Sequence, residues 1–404
     1  MKTSILSVSV RGAKLGQEIK EKLLSSSEEI VCYEKEGRES GGEAITFAKM
    51  GSLMEEIFQT SDRILCIMAT GIVVRTIAPF IVHKSADPAV VVMDERANFA
   101  ISLLSGHLGG ANEWTEELAK LTGATSVITT ATDVNSIPAP DVLARKLALT
   151  VDSFDALVST NAALVNGEKV YYYLDVSLPH QEAYVREAKA MGIQVTAIPF
   201  VDAEVVQEEL DALGDNYLAQ MTNRIALEKA LMEAEGPHWD SAKSKRVFIT
   251  DRLLDVDGEP LYLRPKTMTV GIGCRRDTPK ELILEAVKQS FLTQKRSLKS
   301  VVGAASVIVK ADEVGLLEAM SELGLGISFF TQEQIAPKIE EETLTESNFV
   351  KETIGVGNVC ETTALLLAKS NKLLQHKTVY PKTTVAIAKV DWSLSELDQA
   401  TRAK

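Results

Sequence analysis

The chain of 404 residues is 45% hydrophobic and 25% charged, with a formal net charge of −13. These values describe an ordinary globular protein of two or three domains with a sizeable core, and the acidic balance argues against a general binder of nucleic acid or of an anionic membrane surface. Cys32, Cys66, Cys274 and Cys360 stand far apart, so neither a disulfide framework nor a cysteine zinc site is expected, and a reducing cytoplasm suits them.

The opening MKTSILSVSV alternates like a strand rather than forming the apolar core of a secretion signal, and no run is long enough to span a bilayer. A helix near 16–24 follows, then strand RILCIMA, helix IVVRTIAPFI and strand AVVVMD. Residues 99–104 read as a buried strand, and Trp114, Leu118 and Leu121 recur on one face of a helix. SVITTATD reads as a further strand. Strands alternating with helices predict a βα architecture with a largely parallel sheet, in which ligands bind beyond the carboxyl ends of the strands. Three small, polar stretches are expected at those ends and should converge on one cleft: Ala69-Thr70-Gly71, Ser105 to Gly110, and Thr129-Thr130 to Asp133.

The two prolines of NSIPAP mark a domain boundary. Beyond them the periodicity stays α/β-like but carries little that looks chemical: acidic helices around 202–213, then a strand RVFIT. A third unit opens with TVGIGCRRDTPKELILEAVKQSF, where Gly271-Ile272-Gly273 ends a strand. Thr278 with Glu281 predicts a capping box, with Pro279 at the first helical position. A helix follows Lys310-Ala311-Asp312-Glu313, a second glycine turn (Gly355, Gly357) enters an apolar helix, and TTVAIAKV is a late strand. The expected fold is therefore multi-domain α/β with mainly parallel or mixed sheets flanked by helices, divided as 1–137, 138–264 and 265–404.

Neither Gly271-x-Gly273 nor Gly355-x-Gly357 has the third glycine of a dinucleotide fingerprint, and no phosphate-binding GxxxxGK[ST] occurs. Tight turns between packed elements use the same glycines. What favours a ligand is repetition: Arg75, Arg275, Arg276, Lys310 and Lys351 all stand beside strand ends or helix starts in an acidic protein. Arginine holds carboxylates bidentately and lysine supplies a point charge, so the pattern points to a polyanionic small molecule. His107, between glycines, is the first candidate base and Glu313 the second, although a turn histidine can equally hydrogen-bond a nearby carbonyl or carboxylate. Glu352 and Glu361 are further candidate acids, or residues that complement a helix dipole. Cys274 and Cys360 lie in glycine turns with no nearby histidine, which suits structural thiols.

Nine blocks together resemble one family, the cobalt-precorrin-5A hydrolases of the anaerobic cobalamin pathway: MATGIVVRTIAPF, DPAVVVMDE, ISLLSGHLGGANE and VITTATDVN, then VGIGCRRDT, KADEVGLLE, FFTQEQI, FVKETIGVGNVCE and PKTTVAIA. They cover roughly 60–135 and 267–390 in the family's order; the middle matches poorly. The resemblance implies a cobalt tetrapyrrole substrate whose ring A δ-lactone is opened by water, with release of acetaldehyde to give cobalt-precorrin-5B. No cofactor is implied, since the cobalt arrives with the substrate, and no metal ligands are assigned. The implied partners are that substrate, a homodimer mate and transient contacts with other enzymes of the pathway, without nucleic acid or membrane. Set against this family, the residues expected to meet substrate are Thr70, Gly71, Arg75, Ser105, Gly106, Gly109, Gly110, Asn112, Thr129, Thr130, Asp133, Gly271, Gly273, Cys274, Arg275, Arg276, Lys310, Asp312, Lys351, Glu352, Gly355, Gly357, Asn358 and Glu361. Backbone N–H groups at Gly109, Gly110, Gly355 and Gly357 are candidate oxyanion donors. His107 could also ligate the substrate's cobalt. A non-catalytic tetrapyrrole carrier is the alternative function.

Overall fold

The computed structural model describes residues 1–23, 29–84, 86–198, 227–238, 240, 243–348, 351–352 and 355–390. The acidic helices expected around 202–213 lie outside them. The chain is a multi-domain α/β protein with three sheets, of seven, five and five strands.

The first compact unit runs from Met1 through Arg145, past the break expected at 137. Its sheet is built from β1 (Lys2–Ser7), β2 (Glu29–Lys35), β3 (Ile45–Phe47), β4 (Arg63–Ile67), β5 (Ala89–Met93), β6 (Phe99–Leu104) and β7 (Thr125–Val127), in the order β3-β2-β1-β4-β5-β6-β7. Helices α1 (Val10–Leu23), α2 (Met50–Thr60), α3 (Thr70–Ile77) and α4 (Ala111–Thr122) connect them. β5 is buried along its whole length, which explains its unbroken run of Ala, Val and Met. On one face Ile5, Leu65 and Val91 pack with Trp114 and Leu118 of α4; on the other Leu6, Cys66 and Val92 pack with Met54, Ile57 and Val73.

The last two strands depart from the expected parallel sheet, β7 because it runs parallel to a reversed β6. β6 runs antiparallel to β5, with Leu104 opposite Val90 and Ala100 opposite Met93. The cause is the short connection Asp94–Asn98, since a parallel crossover needs a dozen residues or more. Asp94 ties the reversal: its carboxylate accepts the Arg96 N–H at 3.0 Å and the Phe99 N–H at 2.8 Å, and Ala97 takes a positive φ of 54°. β6 is only partly buried, and Phe99 is exposed, so the expectation of a buried strand is corrected. Residues 125–134 form a strand only over Thr125–Val127; Ala131–Val134 is instead a single helical turn, α5.

The second compact unit carries the other two sheets. The middle sheet has the order β10-β9-β11-β12-β8, from β8 (Thr150–Val151), β9 (Val170–Asp175), β10 (Val195–Ile198), β11 (Lys245–Ile249) and β12 (Leu261–Arg264). Its buried charges are matched: Arg246 meets Glu235 at 2.6 Å, and Tyr173 donates to the same carboxylate at 2.9 Å. The last sheet has the order β15-β14-β13-β17-β16, from β13 (Met268–Cys274), β14 (Val301–Val307), β15 (Ile327–Phe330), β16 (Leu373–Tyr380) and β17 (Thr383–Lys389). The helices Lys280–Thr293, Val314–Glu322, Gln332–Glu341 and Cys360–Ala368 surround it.

The expected capping box at Thr278 does not form. The helix starts one residue later, Pro279 is its N-cap, and the Thr278 hydroxyl donates to the Arg275 carbonyl at 2.7 Å. Gly271 and Gly273 serve packing: a Cβ on Gly271 would fall 1.8 Å from the Cys360 carbonyl oxygen, and one on Gly273 2.6 Å from Thr384 Oγ1. Helix Cys360–Ala368 thus lies directly on the backbone of β13. Gly271→Ala should therefore destabilise the fold by about 1–3 kcal/mol through overpacking. Gly51→Ala, on α2 with open space around it, should stabilise by about 0.5–1 kcal/mol. Paired urea denaturation curves check both signs; equal midpoints for the two variants would contradict the packing argument.

Candidate functional site

The turn after β6 is held by its own backbone. Ser105 and Gly110 adopt positive φ angles of 58° and 82°. The Gly110 N–H donates to the His107 carbonyl at 3.0 Å, Ala111 to Ser105 at 3.1 Å and Asn112 to Gly106 at 3.0 Å. A Cβ on Gly109 would sit 2.5 Å from Ser105 Cβ, and one on Gly106 2.7 Å from Asn112 Oδ1. These glycines make the turn tight enough to close on itself. Gly355 and Gly357 are similarly engaged, their N–H groups donating to the Lys351 carbonyl at 2.9 Å and to Glu346 Oε2 at 3.1 Å. The Gly110, Gly355 and Gly357 donors expected for an oxyanion are therefore spent within the protein.

The closed turn holds His107 between two carboxylates. Nδ1 lies 3.0 Å from Asp141 Oδ2 and Nε2 lies 2.6 Å from Asp133 Oδ2. The Asp141 side chain is buried and that of His107 is 9% exposed, whereas that of Asp133 is 37% exposed. Thr132 Oγ1 stands 3.1 Å from the same Nε2. Asn112 donates to Asp133 Oδ2 at 2.8 Å and to Thr130 Oγ1 at 2.9 Å, while Ser102 donates to its amide oxygen at 2.6 Å. Burial would lower the His107 pKa, but the hydrogen bonds and charges of Asp141 and then Asp133 outweigh it, and the pKa is raised. With both ring nitrogens facing carboxylates, the imidazolium with two N–H donors is the form that satisfies the site. Thr129 is exposed nearby.

The expected convergence of three stretches holds for two. The turn at 105–110 and the segment 129–133 follow β6 and β7, which are parallel to each other. Thr70, Gly71 and Arg75 follow β4, whose carboxyl end lies at the opposite edge of the sheet because β6 is reversed. Arg75 also turns back on its own helix, donating to the Gly71 carbonyl at 2.9 Å.

In the second unit the expected residues form two groups. At the carboxyl ends of β13 and β14, exposed Arg276 meets Asp312 through both terminal guanidinium nitrogens, at 2.5 and 2.6 Å. This pairing holds the Asp312 carboxyl below its usual range. Glu313 is 3% exposed; its Oε1 accepts the Asp277 N–H at 2.7 Å, and its Oε2 lies 3.5 Å from both Lys310 Nζ and Arg276 NH1. Burial pushes the Cys274 thiol up to about 11, with Lys310 opposing it, so it stays protonated at neutral pH. Arg275 is exposed, its N–H donating to the Lys382 carbonyl at 2.9 Å.

The other group contains Lys351, paired with Glu346 at 2.9 Å, exposed Glu352, and buried Asn358 and Glu361. Burial opposes charge on Glu361, yet the Lys377 N–H, the Asn358 amide and the His376 ring hold its carboxyl below the usual range. Two important partners, Asp141 and His376, were not among the expected residues. Asp141 was hidden by the prolines just before it, which read as a boundary. His376 sits in a strand with no motif around it.

The chain matches the family descriptions Cobalamin synthesis G N-terminal over residues 52–133, Cobalamin biosynthesis central region over 138–265, and Cobalamin synthesis G C-terminus over 268–388. It is 33% identical to the cobalt-precorrin-5A hydrolase of Salmonella typhimurium, over 87% of this chain and 89% of that protein. It is 26% identical to the cobalt-precorrin-5A hydrolase of Priestia megaterium, over 84% and 82%. The crystal structure of CobE, a protein from the cobalamin (vitamin B12) biosynthetic pathway, aligns with 31% of this chain and 92% of its own at 27% identity and a TM-score of 0.29. Three consecutive family matches and a 33% relative spanning most of both chains lead to one conclusion: this chain belongs to the cobalamin synthesis G (CbiG) family.

Proposed function

We propose that this protein is a cobalt-precorrin-5A hydrolase, which opens the substrate's ring A δ-lactone with water and releases acetaldehyde to give cobalt-precorrin-5B. The observation that carries the reaction is the match to the Salmonella typhimurium hydrolase across 87% of the chain. The geometry that supports a residue assignment is the Asp141–His107–Asp133 chain. Cobalt is part of the substrate, and the reaction as written needs no other cofactor. Its setting is the reducing cytoplasm, a reading supported by four free cysteines. Among the described residues no helix is long and apolar enough to cross a membrane.

In this proposal Asp133, the exposed end of the chain, takes a proton from the attacking water as its oxygen bonds to the acyl carbon. The acyl–oxygen bond breaks, and the charged His107 donates its Nε2 proton to the departing oxygen, leaving a carboxyl group and a hydroxyl. The neutral ring then takes that hydroxyl's proton back as the carbonyl of acetaldehyde forms and the carbon–carbon bond to the macrocycle breaks. The bonding pair stays with the macrocycle, which takes the proton that Asp133 removed from water and so restores the carboxylate. Asp141 holds His107 in place and favours its charged form.

Purified protein given cobalt-precorrin-5A without oxygen should release acetaldehyde without nucleotide, flavin or added metal, and chelator should leave the rate intact. Tight binding with no acetaldehyde would instead support the carrier reading. Asp133→Asn should lower turnover by about 10² to 10⁴ with binding little changed. Asp141→Asn should move the His107 limb of the pH–rate profile toward lower pH. Normal kinetics in both variants would remove the chain from the mechanism.

The raised His107 pKa also has a stability consequence. A folded-state pKa above the unfolded value contributes stability that is fully present below the unfolded value and is lost as pH rises through the folded one. Wild type should therefore lose stability relative to His107→Gln on going from below the ordinary imidazole value of 6.5 to well above it. Urea midpoints measured across that interval check the sign; parallel curves would show that the pair is not coupled to folding.

A further inference from the structure

The second unit presents a histidine that the His107 chain leaves unused. His376 on β16 has a side chain that is 81% exposed, and its Nδ1 meets Oε1 of Glu361, itself 6% exposed, at 2.9 Å. Glu361 is fixed from several directions. Its Oε1 also accepts the Lys377 N–H at 3.0 Å, the Asn358 amide donates to its Oε2, and its own N–H donates to Asn358 Oδ1 at 3.2 Å. An ionised carboxylate only accepts hydrogen bonds, so in the neutral ring the proton sits on Nδ1 and the lone pair on exposed Nε2. A carboxylate that fixes the tautomer and orientation of a histidine in this way is the usual support for a metal-binding imidazole.

His376 opens onto a recess of about 360 Å³ whose lining includes Lys372, Lys389, Leu344, Leu365 and Leu373. The carboxylate in that lining, Glu342, is already paired with Lys338 at 2.7 Å. The surroundings thus combine apolar surface with positive charge, which suits one carboxylate-bearing edge of a flat macrocycle lying over the exposed ring. His107 cannot ligate a metal in this structure, because both its ring nitrogens face carboxylates.

We propose that His376, oriented by Glu361, binds the cobalt of a polycarboxylate tetrapyrrole through Nε2, with Lys372 facing one of its carboxylate arms. The inference rests on the cobalt-tetrapyrrole reading above. The step is a ligand exchange: the Nε2 lone pair forms the N–Co bond, an axial water leaves, Nδ1 keeps its proton and no electron is transferred.

The test uses the full chain with cobyrinic acid in its Co(II) state and electron paramagnetic resonance. One coordinated imidazole should split the cobalt lines into triplets, and these should become doublets when the protein's histidines carry ¹⁵N. His376→Ala should abolish the splitting and weaken binding by about tenfold or more, whereas Lys372→Ala should weaken binding with the splitting intact. An unsplit spectrum for bound wild type, or triplets that survive in His376→Ala, would overturn the inference. Acetaldehyde release by the same purified protein, assayed separately with cobalt-precorrin-5A, separates the two readings. Turnover with an unsplit spectrum rejects the cobalt ligand alone; absence of both turnover and corrinoid binding rejects the function with it.

Discussion

The reversal at Asp94 determines what the N-terminal sheet can bring together. A connection of Glu95 to Asn98 between Asp94 and Phe99 leaves no room for a crossover helix, so β6 must return antiparallel along β5. Everything that follows is thereby moved to the other end of the sheet: the 105–110 turn, helix α4, β7 and the turn at Asp133. Had β6 been parallel, His107 would share an edge with Thr70. Instead it meets Asp133 and Asp141, and its chemistry is that of a histidine enclosed by acids.

That enclosure balances two opposing costs. Removing a cation from water is unfavourable, and so is burying Asp141 without a partner. Each is acceptable only with the other present, and the exposed Asp133 adds a second counter-charge without adding a second buried one. The tight glycine turn is what makes the geometry available, because three backbone hydrogen bonds fix the His107 main chain before its side chain is placed. The network of Ser102, Asn112 and Thr130 then aims Asp133 from the other side.

Much of this was legible in the sequence. The unbroken apolar run of β5 and the Trp114–Leu118 face of α4 follow from periodicity alone, whereas Gly271 and Gly273, read as a glycine turn, lie inside β13 and are paired with β17. The direction of β6 was also available in the length of its connection, although alternating elements suggested a parallel sheet. Other features depended on contacts distant in the chain. Nothing near Gly271 announces that Cys360 will lie on it, nor does anything near His376 reveal Glu361. The Thr278 capping box failed because its hydroxyl found the Arg275 carbonyl first, a local competition that a spacing rule does not register.

The position of Asp141 bears on how such a protein can be recombined. The N-terminal family match ends at residue 133 and the central match begins at 138, so the partners of His107 fall on both sides of that seam. A graft that exchanged the central segment between relatives at the seam would set a foreign residue against Nδ1 of His107. A junction placed after Arg145, where the first compact unit ends, would carry the histidine and both carboxylates across together.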